Sequence, residues 1–322
     1  MSEPTFRQLR TFLAAIETGS VSAAARLLHL TQPAASQQLR ELERMLGARL
    51  LDRAKGRMIP TAAGHALLIP ARHAQAAIDD VVAAIAAHRA GDAGRVRLGT
   101  GATACIYLLP PVLSAVKRLM PRLEIIIATG NTPDILERVE AGSLDVALVT
   151  LPTTVSRSLS TTQLRSDALV ALLPTATAPA SPTVDPGQLA QLPLILYEAD
   201  GYTRSIVDAW FQQAGLKPRP IMELGNVEAI KVLIGSGLGA SILPKLALSE
   251  EVPGAVLRPL RPAVQRYLGL VLRQEKIVDR GLRLLLDEIT RLHDPAELCA
   301  PKSGLRSCSG LALKTSARGA EK

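Results

Sequence analysis

Apolar residues at Phe6, Leu9, Leu13 and Ile16 recur at steps of three and four, which predicts an amphipathic helix over 6–17 that stops at Thr18-Gly19. A short second helix follows, capped by Ser20 or Ser22, with Val21, Ala24, Ala25 and Leu28 as its buried stripe. A third opens after His29-Leu30, with Thr31 as N-cap and Pro33 in the first turn, where a missing N–H costs nothing. Its core stripe is Ala35, Leu39, Leu42 and Leu46. Two short apolar runs within 49–60 flank a basic turn at Lys55-Gly56-Arg57, the pattern of a β-hairpin. From Thr61 to about Arg89 an alanine-rich helix is interrupted only by Pro70, where a kink is expected. Ala71, Ala74, Ile78, Val81 and Ile85 form an apolar seam of coiled-coil spacing, which predicts a linker helix that pairs with a second copy.

Beyond a glycine-containing hinge at 91–94 the pattern alternates between strands and helices. Strands are predicted at 95–99, 123–129, 145–149, 169–173, 194–197, 220–223, 240–243, 256–260 and 267–272; helices at 104–119, 133–141, 203–214, 227–236 and 278–292. Such alternation implies an α/β body with mainly parallel sheets covered by helices. The stretch 174–187, rich in Pro, Ala, Thr and Ser, predicts a surface loop. Past Asp294 no periodicity remains, and 296–322 reads as a disordered basic tail.

The third helix carries Gln32, Ser36, Gln37, Arg40 and Arg44 opposite its apolar stripe. A helix, a short helix, a tight turn and a polar-faced helix make a helix-turn-helix, whose last member reads the major groove of double-stranded DNA. The hairpin is then a wing, with Arg53, Lys55 and Arg57 placed to meet phosphates. Charge supports this reading. The net charge of +8 divides into +4 over 1–90, +1 over 91–295 and +3 over 296–322, a basic head on a nearly neutral body.

The α/β body has little catalytic chemistry to offer. All five histidines lie outside 91–292, so no Ser-His-Asp triad can be built there, and no histidine pair has metal-ligand spacing. Gly99-Thr-Gly-Ala-Thr-Ala104 matches a dinucleotide fingerprint in form, but Thr129-Gly130 stands where the ribose-binding acid belongs. No catalytic residue, metal or cofactor is therefore expected. Three widely spaced cysteines suit a reducing compartment, and neither a signal peptide nor an apolar run long enough to span a bilayer is visible, so a cytoplasmic protein without membrane attachment is expected.

The runs Phe6-Arg-Gln-Leu-Arg-Thr-Phe-Leu-Ala-Ala, Gly19-Ser-Val-Ser-Ala-Ala-Ala-Arg-Leu-Leu, Thr31-Gln-Pro-Ala-Ala-Ser-Gln-Gln-Leu-Arg-Glu-Leu-Glu and Leu46-Gly-Ala-Arg-Leu-Leu-Asp-Arg closely resemble the signature of LysR-type transcriptional regulators. Gly142-Ser-Leu-Asp-Val-Ala-Leu-Val and Gly235-Ser-Gly-Leu-Gly-Ala-Ser-Ile-Leu-Pro244 resemble landmarks of that family's effector domain. The resemblance implies a winged helix-turn-helix (1–60, with Pro33 among the residues at the DNA), a linker or dimerisation helix (61–90) and a periplasmic-binding-protein-like effector domain (91–295). It divides the last into subdomain I, about 95–161 and 267–292, and subdomain II, about 162–266. It further implies a dimer or tetramer controlled by a small-molecule effector, with RNA polymerase as another partner. Ala35 stands where the family more often has a larger aliphatic residue, and the tail has no counterpart role.

In open α/β sheets ligands bind beyond the carboxyl ends of strands, near helix N-termini. Here that criterion selects Thr100, Gly101, Ala102 and Thr103; Gly130, Asn131 and Thr132; Thr150; Tyr202, Thr203 and Arg204; and Asn226. Hydroxyls, amides and one arginine suggest a small anionic effector, although each Thr or Asn could equally be a plain helix cap.

Overall fold

The computed structural model describes residues 3–54, 56–90, 94–151 and 155–292. The expected tail at 296–322 lies outside these residues, as do Lys55 and most of the expected hinge.

Three helices build the N-terminal body. Helix α1 (Phe6–Thr18) starts from a reciprocal cap between Thr5 and Gln8 and ends at Gly19, whose φ of 66° is one that glycine adopts without penalty. Ser20 caps α2 (Val21–Leu27), and Thr31 caps α3 (Gln32–Leu46) by accepting from the Ala34 N–H. Phe12, Ala15, Ala24, Leu39, Leu42 and Leu50 close a common core. Leu46, expected in that core, is 41% exposed because it sits on the last turn of α3, beyond the reach of α1 and α2. The wing is an antiparallel pair, β1 (Leu51–Ala54) and β2 (Arg57–Pro60), in register from Leu51 opposite Pro60 to Ala54 opposite Arg57. Helix α4 (Ala62–Ala90) runs on through Pro70 without interruption. Of the expected seam, Ala71 is consumed by the N-terminal core and is unavailable to a partner, whereas Ile78 and Val81 are 43% and 61% exposed.

The remaining chain forms two lobes. In the first, β3 (Gly94–Thr100), β4 (Leu123–Thr129) and β5 (Val146–Thr150) are parallel, with β3 central. Helices α5 (Ala102–Tyr107), α6 (Leu109–Leu119) and α7 (Thr132–Glu140) connect them. The single helix expected at 104–119 is split because Pro110 and Pro111 supply no N–H to the preceding turn and suit only the start of a new helix.

Two long strands, β6 (Leu159–Pro174) and β10 (Ala255–Arg273), traverse both lobes as an antiparallel pair. Between them in sequence lie α8 (Pro186–Ala190), β7 (Leu194–Leu196), α9 (Tyr202–Gln213), β8 (Pro220–Glu223), α10 (Val227–Gly235) and β9 (Ser241–Pro244), the second lobe. The main sheet has the order β4-β3-β5-β10-β6-β9. It is thus mixed, where a mainly parallel sheet was expected: its β5-β10, β10-β6 and β6-β9 pairings are antiparallel. The short strands expected at 169–173, 256–260 and 267–272 are segments of the two crossing strands. Polar and proline-rich stretches such as 261–266 hide their continuity. A parallel β7-β8 pair joins the start of β9: the Ile195 N–H donates to the Ala240 carbonyl, and the Ala240 N–H donates to the Pro193 carbonyl. Helix α11 (Arg280–Thr290) returns to the first lobe and packs Leu282, Leu285 and Ile289 into its core.

Candidate functional site: an exposed helix face and an interlobe cleft

Helix α3 is held by its buried stripe, which leaves Gln32, Pro33, Gln37, Arg40 and Arg44 exposed and Ser36 half-buried on the opposite side. Gln32 Nε2 lies 2.8 Å from Ser36 Oγ, and Gln37 Nε2 donates to Glu41 Oε1 at 2.9 Å, so the amides are oriented along the helix surface. Arg53 and Arg57 are exposed on the wing strands. The wing is fixed by two contacts that sequence reasoning missed. Glu43 Oε1 accepts the backbone N–H groups of Leu50 and Leu51 at 2.8 and 3.3 Å. The Met58 N–H donates to the Gly19 carbonyl at 2.8 Å. A side chain at Gly19 would meet Arg57 Nε at 2.8 Å, so that guanidinium lies over the α1–α2 turn. The α3 face and the wing strands thus each present exposed basic or amide side chains on a fixed N-terminal body.

The second site is a cavity of about 360 Å³ between the lobes, at the carboxyl ends of β3, β4 and β5. Of the expected residues, Gly101, Ala102, Thr103, Gly130, Asn131, Thr132, Thr150, Tyr202 and Thr203 line it. Three do not. Thr100 is fully buried and donates to the Leu148 carbonyl at 2.8 Å, a pin between strands. Asn226 caps α10 through the Glu228 and Ala229 N–H groups. Arg204 points away from the cleft, into ion pairs of 2.9 Å with Asp208 and with Glu223.

The cation of the cleft is instead Arg266, a residue missing from the sequence expectation. It is 4% exposed, and Nη2 and Nε bind Asp167 Oδ2 at 2.8 and 3.0 Å across the two crossing strands. Its Nη1 reaches Thr203 Oγ1 of the second lobe at 3.2 Å and Thr150 Oγ1 of the first at 3.4 Å. Tyr197, also missed, lies just beyond β7 and lines the cleft; its hydroxyl is buried and makes no hydrogen bond of ordinary geometry among the described residues. Burial pushes this phenol up to about 12, against the opposing pull of the Arg266 cation and the adjacent Thr103 hydroxyl. At neutral pH it therefore remains an O–H donor. A folded-state value above the ordinary 10.0 means that its contribution to stability is full below pH 10 and lost as pH rises through about 12. Titration by ultraviolet absorbance is expected to show a late-ionising phenol that Tyr197→Phe removes; a titration curve unchanged by Tyr197→Phe at high pH would contradict the burial argument.

Among the described residues no group of His, Cys, Asp and Glu is placed to hold a metal, and no helix is long and apolar enough to cross a membrane.

The chain matches the family profile described as "Bacterial regulatory helix-turn-helix protein, lysR family" over residues 6–65, and "LysR substrate binding domain" over residues 89–293. It belongs to the LysR family. This family member is accordingly a DNA-binding transcriptional regulator with a substrate-binding domain, and not an enzyme. It is 30% identical over 289 residues to the HTH-type transcriptional regulator CbbR of Xanthobacter flavus, an alignment covering 87% of this chain and 86% of that protein. It is 32% identical over 286 residues to the regulator YeiE of Escherichia coli, covering 88% and 96%. The fold resembles a full-length OxyR variant from Pseudomonas aeruginosa with a TM-score of 0.71 at 23% identity, covering 90% of this chain and 95% of that one. It also resembles full-length CbnR solved in complex with its target DNA, with a TM-score of 0.63 at 23% identity and coverage of 89% and 99%.

Proposed function

We propose that this LysR-family regulator binds specific duplex sites through α3 and the wing, and that a small anionic molecule in the interlobe cleft controls it. Residues 1–60 act as the reading head, 61–90 as a linker helix that pairs with a second copy through exposed positions such as Ile78 and Val81, and 91–295 as the sensor. On DNA, Gln32, Ser36, Gln37, Arg40 and Arg44 face the major groove, where Gln and Arg pair with adenine and guanine edges. Pro33 sets the entry of the helix, and Arg53, Lys55 and Arg57 meet phosphates.

The observation that carries the sensing half is the cleft floor. Arg266 Nη1 and the unpartnered Tyr197 hydroxyl converge there with the hydroxyls of Thr103, Thr150 and Thr203. The Tyr197 hydroxyl, a buried donor without an acceptor among the described residues, is satisfied by an oxyanion, whereas Arg266 Nη1 is already shared between Thr150 and Thr203. Gly101, Ala102, Gly130, Asn131, Thr132 and Tyr202 add to the walls, which also carry the carboxylates of Asp134 and Glu198, so the ligand's negative group is placed against Tyr197 and the threonines and away from those two. A ligand that prefers one lobe arrangement shifts the population of regulator states and so reaches the DNA and, through it, RNA polymerase.

The test has two arms. Arg40→Ala or Gln37→Ala is expected to weaken binding to a duplex from the protein's own upstream region by about 1–3 kcal/mol while leaving the melting temperature unchanged; an unaltered footprint removes the assignment. Small carboxylates and inorganic oxyanions, screened by thermal shift on the full chain, are expected to include at least one stabiliser whose effect is lost in Tyr197→Phe. A response only to cations or neutral molecules would overturn the anionic reading.

A further inference from the structure

We infer that Tyr107, Glu228 and Lys231 form a latch that locks the two lobes together, so that the cleft exchanges its occupant only when this cluster comes apart. Tyr107 is the last residue of α5 and belongs to the first lobe, yet its ring packs against the second lobe's core of Leu172, Ile195, Val227 and Ile230. Helix α10 supplies the partners. The Tyr107 hydroxyl is bonded to Glu228 Oε1, and Lys231 Nζ donates to the same hydroxyl at 2.9 Å. Lys231 Nζ also pairs with Glu228 Oε2 at 3.1 Å and lies 5.3 Å from the centre of the tyrosine ring, on its hydroxyl side. One phenol thus takes a hydrogen bond from a cation and gives one to a carboxylate.

Three features make this a latch rather than ordinary packing. Each lobe has its own hydrophobic clusters, and the crossing strands β6 and β10 join the lobes, so their angle depends on contacts made elsewhere between them. The cluster adjoins the cleft: Thr103 and Ala104, one turn before Tyr107, and Val227, next to Glu228, line the cavity. The Lys231 side chain is only 13% exposed, so water has little access to the ammonium, while its partner Glu228 is 45% exposed and stays open to solvent. At the mouth a second cross-lobe bond, Asn131 Nδ2 to Asp200 Oδ2 at 2.7 Å, is exposed and therefore weaker, but its geometry reports closure.

That contact supplies the assay. With Cys105, Cys299 and Cys308 replaced by serine in the full chain, Asn131→Cys and Asp200→Cys place two thiols across the cleft mouth, and diamide-driven disulfide formation measures how often the lips meet. Rapid crosslinking is expected with the latch intact. Tyr107→Phe combined with Lys231→Met is expected to slow it about fivefold or more as the closed population falls, with far-ultraviolet dichroism and melting temperature essentially unchanged. Should that pair fail to fold, Glu228→Gln, which keeps the shape and removes the charge, is expected to slow crosslinking in the same direction. Equal rates with and without the latch residues would overturn the inference, as would failure of the cysteine pair to crosslink with the latch intact.

Discussion

Replacing Arg266 with methionine is expected to destabilise the sensor half by about 3 kcal/mol, near the lower edge of the range of 3–5 kcal/mol for breaking a buried ion pair, and to abolish the thermal response to anions. The cost arises at the carboxylate left behind. Asp167 and Arg266 are 6% and 4% exposed, and the aspartate is paired through the arginine fork across β6 and β10. Without the guanidinium, Asp167 keeps, among the described residues, only the Leu246 N–H at 3.0 Å, which satisfies Oδ1 and leaves Oδ2 buried and unpaired. That remaining bond places the estimate low in the range. Methionine retains the apolar length of the side chain, so lost packing contributes little. The double variant Asp167→Asn, Arg266→Met removes both charges and is expected to recover most of the loss, because a neutral pair carries no uncompensated charge. Its anion response should stay absent, since no cation is left at the cleft floor. Urea midpoints for the two single variants and the double variant, beside thermal shifts with the anion panel, separate the roles. A stable single variant, or a double variant that still responds to anions, would remove Arg266 from the site.

How far this arrangement could be read in advance differs sharply between the two halves. The reading head is encoded locally. Thr31 caps α3, Gly19 and Gly47 end their helices with φ of 66°, and the polar face of α3 is complete within one helical segment. Periodicity and capping act over a few residues, so inspection of a short window recovers them. The cleft is different. Its polar walls at Gly101, Thr103, Asn131 and Thr132 follow strands that alternation reveals, and these positions were anticipated. Its cation was not, because Arg266 lies inside a 19-residue strand whose stretch around Pro259 to Arg266 looks like a loop, and its partner Asp167 is 99 residues away. Arg204, the arginine that does sit near a helix start, is neutralised by Asp208 one turn later and by Glu223 on β8. An i,i+4 acid beside an arginine was a legible hint that the charge was already spent within the lobe. Tyr197 gave no comparable signal: its importance rests on a hydroxyl left without a partner, a property of packing alone.

The second large effect is expected at Gly142, where the sensor meets the linker helix. Gly142 has φ of 76°, and a Cβ there would stand 2.2 Å from Ala76 Cβ on α4 and 2.7 Å from Arg273 Nη1. The arginine is a flexible end and can give way, but the alanine is part of a continuous helix. Gly142→Ala therefore forces α4 away from the first lobe by more than an ångström, in addition to about 1–2 kcal/mol for an L-residue in the left-handed region. Two exposed or half-exposed ion pairs bridge the same surfaces, Arg97 to Asp79 at 3.7 Å and Arg72 to Glu137 at 3.8 Å; at those separations they are too weak to hold the helix against the clash. The N-terminal body, which packs on α4 through Ala71, Leu67 and Leu68, is expected to move with it. Small-angle scattering should register a larger radius of gyration, and affinity for a duplex carrying two half-sites should fall, because half-site spacing is a geometric demand on where the two reading heads stand. Ala76→Gly added to Gly142→Ala removes the clashing methyl at a helix cost of roughly 1 kcal/mol. It should restore the scattering profile without restoring the backbone cost. If Gly142→Ala leaves scattering and two-site affinity unchanged, the contact between linker and first lobe has no part in positioning the DNA-binding head.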